Sequence, residues 1–347
     1  MQNGSHLLRH KLLPTNLISL KNFVSLKTIC AGMLITISQA WIPQALAAFP
    51  DHAIQSVAPF AAGGANDYLT RLMAQHMGTE LKVSIVVDNK TGANGIVGAS
   101  FVAKSAPDGY TLLMGNSATH GTNPSLYQNM PYDPVADFAP VSMIGSVPIV
   151  LAVDPKLGIN TVAELIAYGR KNPGKLAFGS SGIGGTGHLA GEAFKAATGL
   201  DVVHAPYKGD APAVADAAGG QVPMAFIGIA SAAPLYNAGK VKVLAVASPN
   251  RQASMPNVPT MTEAGFKDIE FSQWYALFAR AGTPKETITK LNEAAKVALA
   301  RDDVKASMAT QGAEPAYSTP EQLNAFFQAE IKRFAEIIKK LNIKAQQ

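Results

Sequence analysis

The chain has 347 residues with 29 basic and 24 acidic side chains and a single cysteine. A polypeptide of this size can bury about 75% of its unfolded surface and usually divides into more than one core, so we expect two lobes. Four of the basic residues precede residue 48, where no acidic residue occurs: Arg9, Lys11, Lys21 and Lys27. The remaining chain is therefore nearly neutral, which gives nucleic-acid binding little electrostatic support.

An export signal is predicted at the amino terminus. The basic segment is followed by an apolar run at 29–37 and a small-x-small site that ends at Ala47, which is the order of a signal peptide. Ser38 and Gln39 interrupt the run before the roughly 20 apolar residues that a spanning helix needs. We expect cleavage after Ala47, and the alternative is an uncleaved membrane anchor. Cleavage would remove Cys30, leaving no disulfide, Cys nucleophile or thiolate metal site.

Short apolar runs then alternate with helical stretches. Strands are predicted at 54–59, 83–87 and 111–114, with helices at 67–77 and 96–104. This strand, helix, strand order is typical of a parallel sheet with helices on both faces.

A longer apolar run at 148–153 is predicted to cross into a second lobe. Thr161 and Glu164 form a capping box at the start of the next helix. A second α/β series follows, with strands at 176–179, 202–206, 222–227 and 241–247 and helices at 188–198 and 211–218. The second lobe thus repeats the architecture of the first.

The strand predicted at 274–280 returns the chain to the first lobe. Two helices follow, one capped by Thr283 with Pro284 and Glu286 behind it, and one that starts at Thr319 with Pro320. Apolar residues of the last helix recur with a period close to 3.6 and form a stripe that should pack against a lobe: Leu323, Phe326, Phe327, Ile331, Phe334, Ile337, Ile338 and Leu341.

These elements predict a discontinuous domain organisation. Residues 1–47 form the signal peptide, 48–147 with 273–347 form the first lobe, and 148–272 form the second. The two crossings, near Val147 and Gln273, are thin enough to serve as a hinge.

Chemistry concentrates in three turns that follow strands, at 59–67, 179–188 and 206–210. Open α/β sheets bind ligands at the carboxyl ends of their strands, where the amides that open the next helix point outward. Glycines in these turns allow close backbone approach, and Asp67 is placed to cap its helix. Amides and hydroxyls without a metal or a base suit an anion that is held and not transformed. One helix end contributes about 0.3 to 1 kcal/mol, so micromolar binding should need turns from both lobes.

The evidence for an enzyme is weak. Ser180 and Ser181 lack the Gly-x-Ser-x-Gly elbow. His120, His188 and His204 are too far apart for a local metal motif, and they are interpreted as structural, with His188 the best candidate to line the cleft. The alternative is an exported hydrolase that acts on a carboxylate ester through Ser181 and His188.

Other motifs have plain structural interpretations. Residues 92–98 contain no Gly-x-Gly-x-x-Gly, and 182–187 read Gly-x-Gly-Gly-x-Gly without a well-spaced acidic partner, so a nicotinamide site is not predicted. Arg71 lies four residues after Asp67, which favours an ion pair on one helix face. Lys208 could be either a solvated turn residue or a ligand contact.

Six motifs carry a family resemblance, in order along the chain: 59–64 with Asp67, 107–112, 123–127, 187–192, 206–209 with Pro212-Ala213, and 256–265. In these motifs the sequence resembles a Bug-type receptor, the extracytoplasmic substrate-binding component of tripartite tricarboxylate transporters. The resemblance implies an α/β, type II periplasmic-binding-protein fold, with two Rossmann-like lobes joined by two crossing strands. It also implies a periplasmic, monomeric, non-catalytic receptor without a cofactor, which holds a small organic carboxylate and delivers it to membrane subunits. A receptor that signals to a sensor protein is a further alternative.

Carried over by motif, the implied ligand-binding residues of the first lobe are Phe60, Ala61, Ala62, Gly63, Gly64, Asp67, Asn116, Ser117 and Thr119. Those of the second lobe are Ser180, Ser181, Thr186, Gly187, His188, Tyr207 and Lys208. Many relatives carry a polar or acidic residue just after the strand that here ends Phe226-Ile227-Gly228. This departure leaves the far end of the ligand without an assigned partner.

Overall fold

The computed structural model describes residues 49–344, so the predicted signal peptide and its cleavage site lie outside the described residues. Within this range, none of the helices has the length and apolar character needed to cross a membrane. The strands are, in chain order, β1 (Ile54–Ala58), β2 (Ile85–Asn89), β3 (Thr111–Asn116), β4 (Phe138–Val153), β5 (Leu176–Ser180), β6 (Val202–Pro206), β7 (Met224–Gly228), β8 (Lys242–Val246), β9 (Ser272–Arg280) and β10 (Glu314–Pro315).

The α-helices of the same range mostly follow strands. They are α1 (Ala65–Leu81), α2 (Ile96–Ala103), α3 (Asn123–Leu126), α4 (Val162–Lys171), α5 (Thr186–Thr198), α6 (Asp210–Gly219), α7 (Ile229–Asn237), α8 (Lys285–Ala300), α9 (Asp302–Thr310) and α10 (Pro320–Lys340). The predicted α/β class is therefore confirmed, and each strand predicted within this range is present, most of them with shifted ends and the one at 202–206 with the predicted ends.

The strands follow one path in the order β2-β1-β3-β9-β4-β7-β5-β6, and β8 and β10 pair with β4 beside it. β1 lies parallel to β2 and β3, and β5 lies parallel to β6 and β7. β9 and β4 run antiparallel to their neighbours and separate these two parallel groups. The path thus contains two strand–helix–strand units. The first part of β4 pairs with β9, which borders one unit, and the last part of β4 pairs with β7 of the other unit.

β4 is much longer than the strand predicted at 148–153. Its part from Phe138 to Pro148 pairs with β9, and its last five residues, from Ile149, pair with β7. The pairing with β9 shifts register near Pro140 and again near Gly145. Such register shifts accommodate residues that a regular ladder excludes. They also interrupt the alternation of apolar and polar residues from which a strand is predicted.

The chain passes between the two groups of strands at two adjacent points. One is within β4, where Ile149 N donates to Phe271 O at 2.9 Å. The other directly precedes β9, where Phe271 N donates to Ala247 O at 2.8 Å. Backbone at these two points is thus joined side by side.

The last helix packs across two hydrophobic clusters. Its residues Leu323 and Phe327 belong to the cluster that contains Phe278 of β9. Phe334 and Ile338 belong to the cluster that contains Phe226 of β7. Four members of the predicted stripe are therefore buried, against parts of both strand groups and not against one, whereas Phe326 is 38% exposed.

Helix starts differ from prediction at two of the three predicted threonine caps. α8 starts at Lys285 with Pro284 as its N-cap, and the Thr283 hydroxyl donates to Arg280 O instead of capping. At α4 the Thr161 side chain accepts from Glu164 N as predicted, but the Glu164 carboxylate accepts from Asn160 N, one residue outside the box. The helix start predicted at Thr319 is confirmed, and Thr319 forms a complete capping box with Gln322.

Three α-helices of the described residues were not predicted, namely the four-residue α3 and the helices α7 and α9. α7 follows β7 directly and contains Pro234, a residue that argues against a helix interior. Its first turn is nonetheless buried, from Ile229 to Ala233, so tertiary packing outweighs local propensity. α9 is a short polar helix that directly follows α8.

Candidate functional site

A small cavity lies at the carboxyl ends of strands from both groups. It is lined by Phe60, Ala61, Gly64, Ala65, Asn66, Asn116, Ser181, Asp210, Gln273 and Tyr275. The void has a volume of about 260 Å³, but the centre of a water molecule can occupy only about 20 Å³ of it. This space holds about one water, so an organic ligand would require the surrounding turns to separate.

Asp67 organises the first turn. The N-cap of α1 is Gly64, so Asp67 lies in the first helical turn and not at the predicted cap. Its carboxylate accepts from Gly63 N at 3.0 Å, from Asn89 Nδ2 at 2.9 Å and from Arg71 Nε at 3.0 Å, which confirms the predicted ion pair. Burial alone would raise the pKa of Asp67, but these hydrogen bonds hold it below its usual value.

The turn after β3 is held by its own side chains. Asn116 Oδ1 accepts from the amides of Ala118 and Thr119, each at 3.1 Å. Thr119 is buried, and its hydroxyl accepts from Asn116 N at 2.9 Å. Asn116 therefore lines the cavity in a fixed orientation, whereas the hydroxyl of Thr119 is used within the turn.

The two candidate serines at the turn after β5 have different environments. Ser181 lines the cavity, whereas Ser180 is fully buried and its hydroxyl is hydrogen-bonded to His204 Nε2 at 2.7 Å. His188 Nδ1 accepts from Gly184 N at 2.9 Å, and its ring stacks on His204 with centroids 3.9 Å apart. Burial lowers the pKa of His188 to about 4 and that of His204 to about 3, so both rings are neutral at pH 7.

Gly187 is required by packing. A Cβ at this position would lie 2.1 Å from the carbonyl oxygen of Phe226, so only glycine allows α5 to approach β7 this closely.

The third turn places its two predicted contacts at the edge of the site. The Tyr207 hydroxyl donates to Asp216 Oδ2 at 2.7 Å, and burial raises the pKa of Tyr207 to about 12. The side chain of Lys208 is exposed.

Turns from the two groups of strands touch each other. Ala61 N donates to Lys208 O at 3.3 Å. The hydroxyls of Ser117 and Thr186 share a hydrogen bond of 2.8 Å. Of the predicted contacts, Phe60, Ala61, Gly64, Asn116 and Ser181 meet at the cavity. The other members hold the turns or lie at the surface, and Ala62 and Gly63 are exposed.

Sequence reasoning missed the polar floor of the cavity. Asp210 Oδ2 accepts from Gly228 N at 3.0 Å and from Gln273 Nε2 at 3.2 Å, while the Tyr275 hydroxyl donates to Gln273 Oε1. Burial raises the pKa of Asp210 to about 6, against the opposing effect of these hydrogen bonds. One feature of the sequence could have identified Asp210, because it is an acidic residue at the first position of a helix and lies in the third turn at 206–210.

Asn66 adds a second buried acceptor. Its Nδ2 donates to Met114 O at 2.9 Å, which fixes the orientation of the amide, and its Oδ1 has no partner among residues 49–344. Nor do these residues contain a group of three His, Cys, Asp or Glu side chains that could hold a metal ion. The cavity therefore offers helix-end amides, amide oxygens and one carboxylate.

An α/β fold in which turns from two strand–helix units close over a polar cavity is the arrangement of the periplasmic-binding-protein fold. The chain belongs to the tripartite tricarboxylate transporter receptor family, whose model matches residues 69–343. Protein BugT of Bordetella pertussis is 36% identical over 314 residues, which cover 90% of this chain and 96% of that protein. The resemblance to Bug-type receptors is thereby confirmed.

Two solved structures with ligands are similar along their full length. Rpa4515 of R. palustris with adipate has a TM-score of 0.83 at 38% identity, covering 85% of this chain and 99% of that one. MatC from Rhodopseudomonas palustris with bound malate has a TM-score of 0.79 at 31% identity, covering 84% and 100%.

Proposed function

We propose that this protein is a periplasmic solute-binding receptor that captures a small carboxylate and delivers it to the membrane subunits of a tripartite tricarboxylate transporter. The observation that carries the proposal is the cavity itself, because turns from both strand groups line it and the amino ends of α1 and α6 open onto it. Helix amino ends favour anions. Family membership and the carboxylates named for two relatives support the same ligand class.

Ligand entry would require a hinge. We place the first lobe at 48–147 with 273–347 and the second at 148–272, so that the paired backbone around Ile149 and Phe271 lies at the boundary. Opening would break contacts between turns, such as Ala61 N to Lys208 O and Ser117 to Thr186. A ligand that replaces these contacts would favour the closed form.

Among the residues carried over by motif, we assign direct contact with the ligand to Phe60, Ala61, Gly64, Asn116 and Ser181. Asp67, Thr119, Gly187 and His188 would instead hold the turns in place, because their polar atoms or packing are already used. Ser117 and Thr186 would become available when the turns separate.

A non-catalytic role fits the arrangement of the serines and histidines. His188 receives an amide hydrogen on Nδ1 and stacks on a second ring, so the hydrolase alternative has no Ser181–His188 pair to support it. Export with cleavage after Ala47 is part of the proposal, and amino-terminal sequencing of the secreted protein would test it.

A thermal-shift screen of mono-, di- and tricarboxylates tests the ligand class. A ligand at 100 times its dissociation constant should add about 2.7 kcal/mol to the stability of the folded protein. The same compounds offered as simple esters should not be hydrolysed. A panel without any stabilising carboxylate, or measurable ester turnover, would contradict the proposal.

A further inference from the structure

We propose that Asp210 makes the receptor selective for carboxylates that carry an additional hydrogen-bond donor, an amino or hydroxyl group, over unsubstituted carboxylates of the same length. This inference rests on the proposed function, since it concerns the ligand of the same cavity.

The two carboxylate oxygens of Asp210 have different environments. Oδ2 accepts from Gly228 N and Gln273 Nε2. Oδ1 is buried and has no hydrogen-bond partner among the described residues. Asp210 is only 5% exposed and lines the cavity. A buried acceptor without a donor is costly, so a ligand that supplies the donor would remove this cost.

No cation from the described part of the chain fills that place. None of the ion pairs formed within residues 49–344, such as those of Asp67 and Glu192, involves Asp210. The positive end of α6, the two donors on Oδ2 and the neighbouring Ser181 hydroxyl, which also lowers the pKa of Asp210, are its visible compensation. A donor on the ligand would therefore compete with a rotatable hydroxyl and not with a cation of the described residues.

Gly228 explains why the acceptor comes from α6. A Cβ at position 228 would lie 3.1 Å from Asp210 Oδ2, a crowded distance. Glycine at the end of β7 thus leaves room for the Asp210 side chain.

Asn66 strengthens the preference for a donor. Its free oxygen is a second unpartnered acceptor on the same cavity, with its orientation set by the bond from Nδ2 to Met114 O. An amino or hydroxyl group can serve such acceptors. An unsubstituted carboxylate offers only further acceptors.

Matched ligand triples test the inference. Suitable triples differ only at C2, such as succinate, malate and aspartate, or glutarate, 2-hydroxyglutarate and glutamate, or propionate, lactate and alanine. Calorimetry on the signal-free protein at pH 7.5 should show the amino or hydroxy member of a binding triple binding about ten- to hundredfold more tightly than its unsubstituted counterpart.

Asp210→Asn provides the matched variant. Its amide oxygen can keep the bonds from Gly228 and Gln273, while its Nδ2 presents a donor to the ligand, so the preference should disappear or invert. Asp201→Asn makes the same charge change at an exposed position of the turn before β6 and should keep the wild-type preference.

Two results would overturn the inference. Unsubstituted members that bind as tightly as their amino and hydroxy counterparts to the wild type would refute it and leave the proposed receptor function intact. A preference that survives in Asp210→Asn would assign the selectivity elsewhere. Binding of no carboxylate at all would contradict the proposed function and this inference together. The wild-type comparison is decisive even if the variant does not fold.

Discussion

Replacing Asp210 by asparagine should stabilise the ligand-free protein at neutral pH, although it alters a residue of the site. Asp210 is fully buried, and burial raises its pKa from the ordinary 3.8 to about 6. The folded state therefore binds the proton more tightly than the unfolded state. The stabilising contribution of Asp210 to the free energy of unfolding is fully present below pH 3.8 and is lost as the pH rises through about 6.

The size of the effect follows from the two pKa values. A difference of about two pKa units corresponds to ~3 kcal/mol, which the wild type loses between acidic and neutral pH. Asparagine has the same shape and does not titrate. The variant should thus match the wild type near pH 4 and exceed its free energy of unfolding by up to ~3 kcal/mol at pH 7.5.

Urea unfolding of both proteins between pH 4 and pH 8 measures this difference directly. The buried histidines also titrate, since burial lowers the pKa of His188 to about 4 and that of His204 to about 3. Their stabilising effect is lost as the pH falls, opposite in sign to that of Asp210, but it cancels between wild type and variant. A difference that does not change with pH, or a variant less stable at pH 7.5, would refute the reasoning.

Three other substitutions test the site and the fold. Gly64→Val should abolish carboxylate binding in calorimetry while the protein still folds, because the branched side chain would enter the cavity. Gly219→Val, at an exposed helix end, is the control. Unchanged affinity of Gly64→Val would remove the first turn from the site. Gly187→Ala should cost at least ~2 kcal/mol in urea unfolding, as overpacking does, and a neutral effect would show that α5 can shift. Thr319→Ala should cost about 1 kcal/mol through its lost capping box, whereas Thr283→Ala should cost less, and equal losses would contradict the different roles of the two threonines.

Local patterns predicted most of the strands and the three turns. The apolar runs of β1, β3, β5 and β6 are short and bounded by turn residues, so their alternation with helices was visible. The turns around Ser181 and Asp210 lie together because β5 and β6 are parallel and present their carboxyl ends at one edge. The turn around Gly64 follows a strand of the other group, and its approach to them depends on how β4 and β9 join the two groups.

The missing elements depend on contacts that local patterns do not contain. α7 holds a proline and lacks a side-chain cap, and burial of its first turn stabilises it. Thr283 lies where the sequence predicts a cap, but its hydroxyl donates to the carbonyl oxygen of Arg280 instead. The first outcome depends on tertiary packing, whereas the second is a contact between residues three apart that the capping pattern does not distinguish.

The role of Asp210 was missed for a similar reason. Its two donors come from Gly228 and from Gln273, 18 and 63 residues further along the chain. The glycine that looked like the loss of a ligand contact is the residue that makes space for this carboxylate. Only the folded arrangement reveals that exchange.

Small-angle scattering of the signal-free protein tests closure on a ligand most directly. The space of about 20 Å³ and the contacts between turns belong to a closed form. We expect the curve at saturating carboxylate to match this form and the ligand-free curve to give a larger radius of gyration. The double variant Ser181→Ala with Thr186→Ala should close less completely at the same ligand concentration. Identical curves with and without ligand, both matching the closed form, would contradict a receptor that closes on its carboxylate.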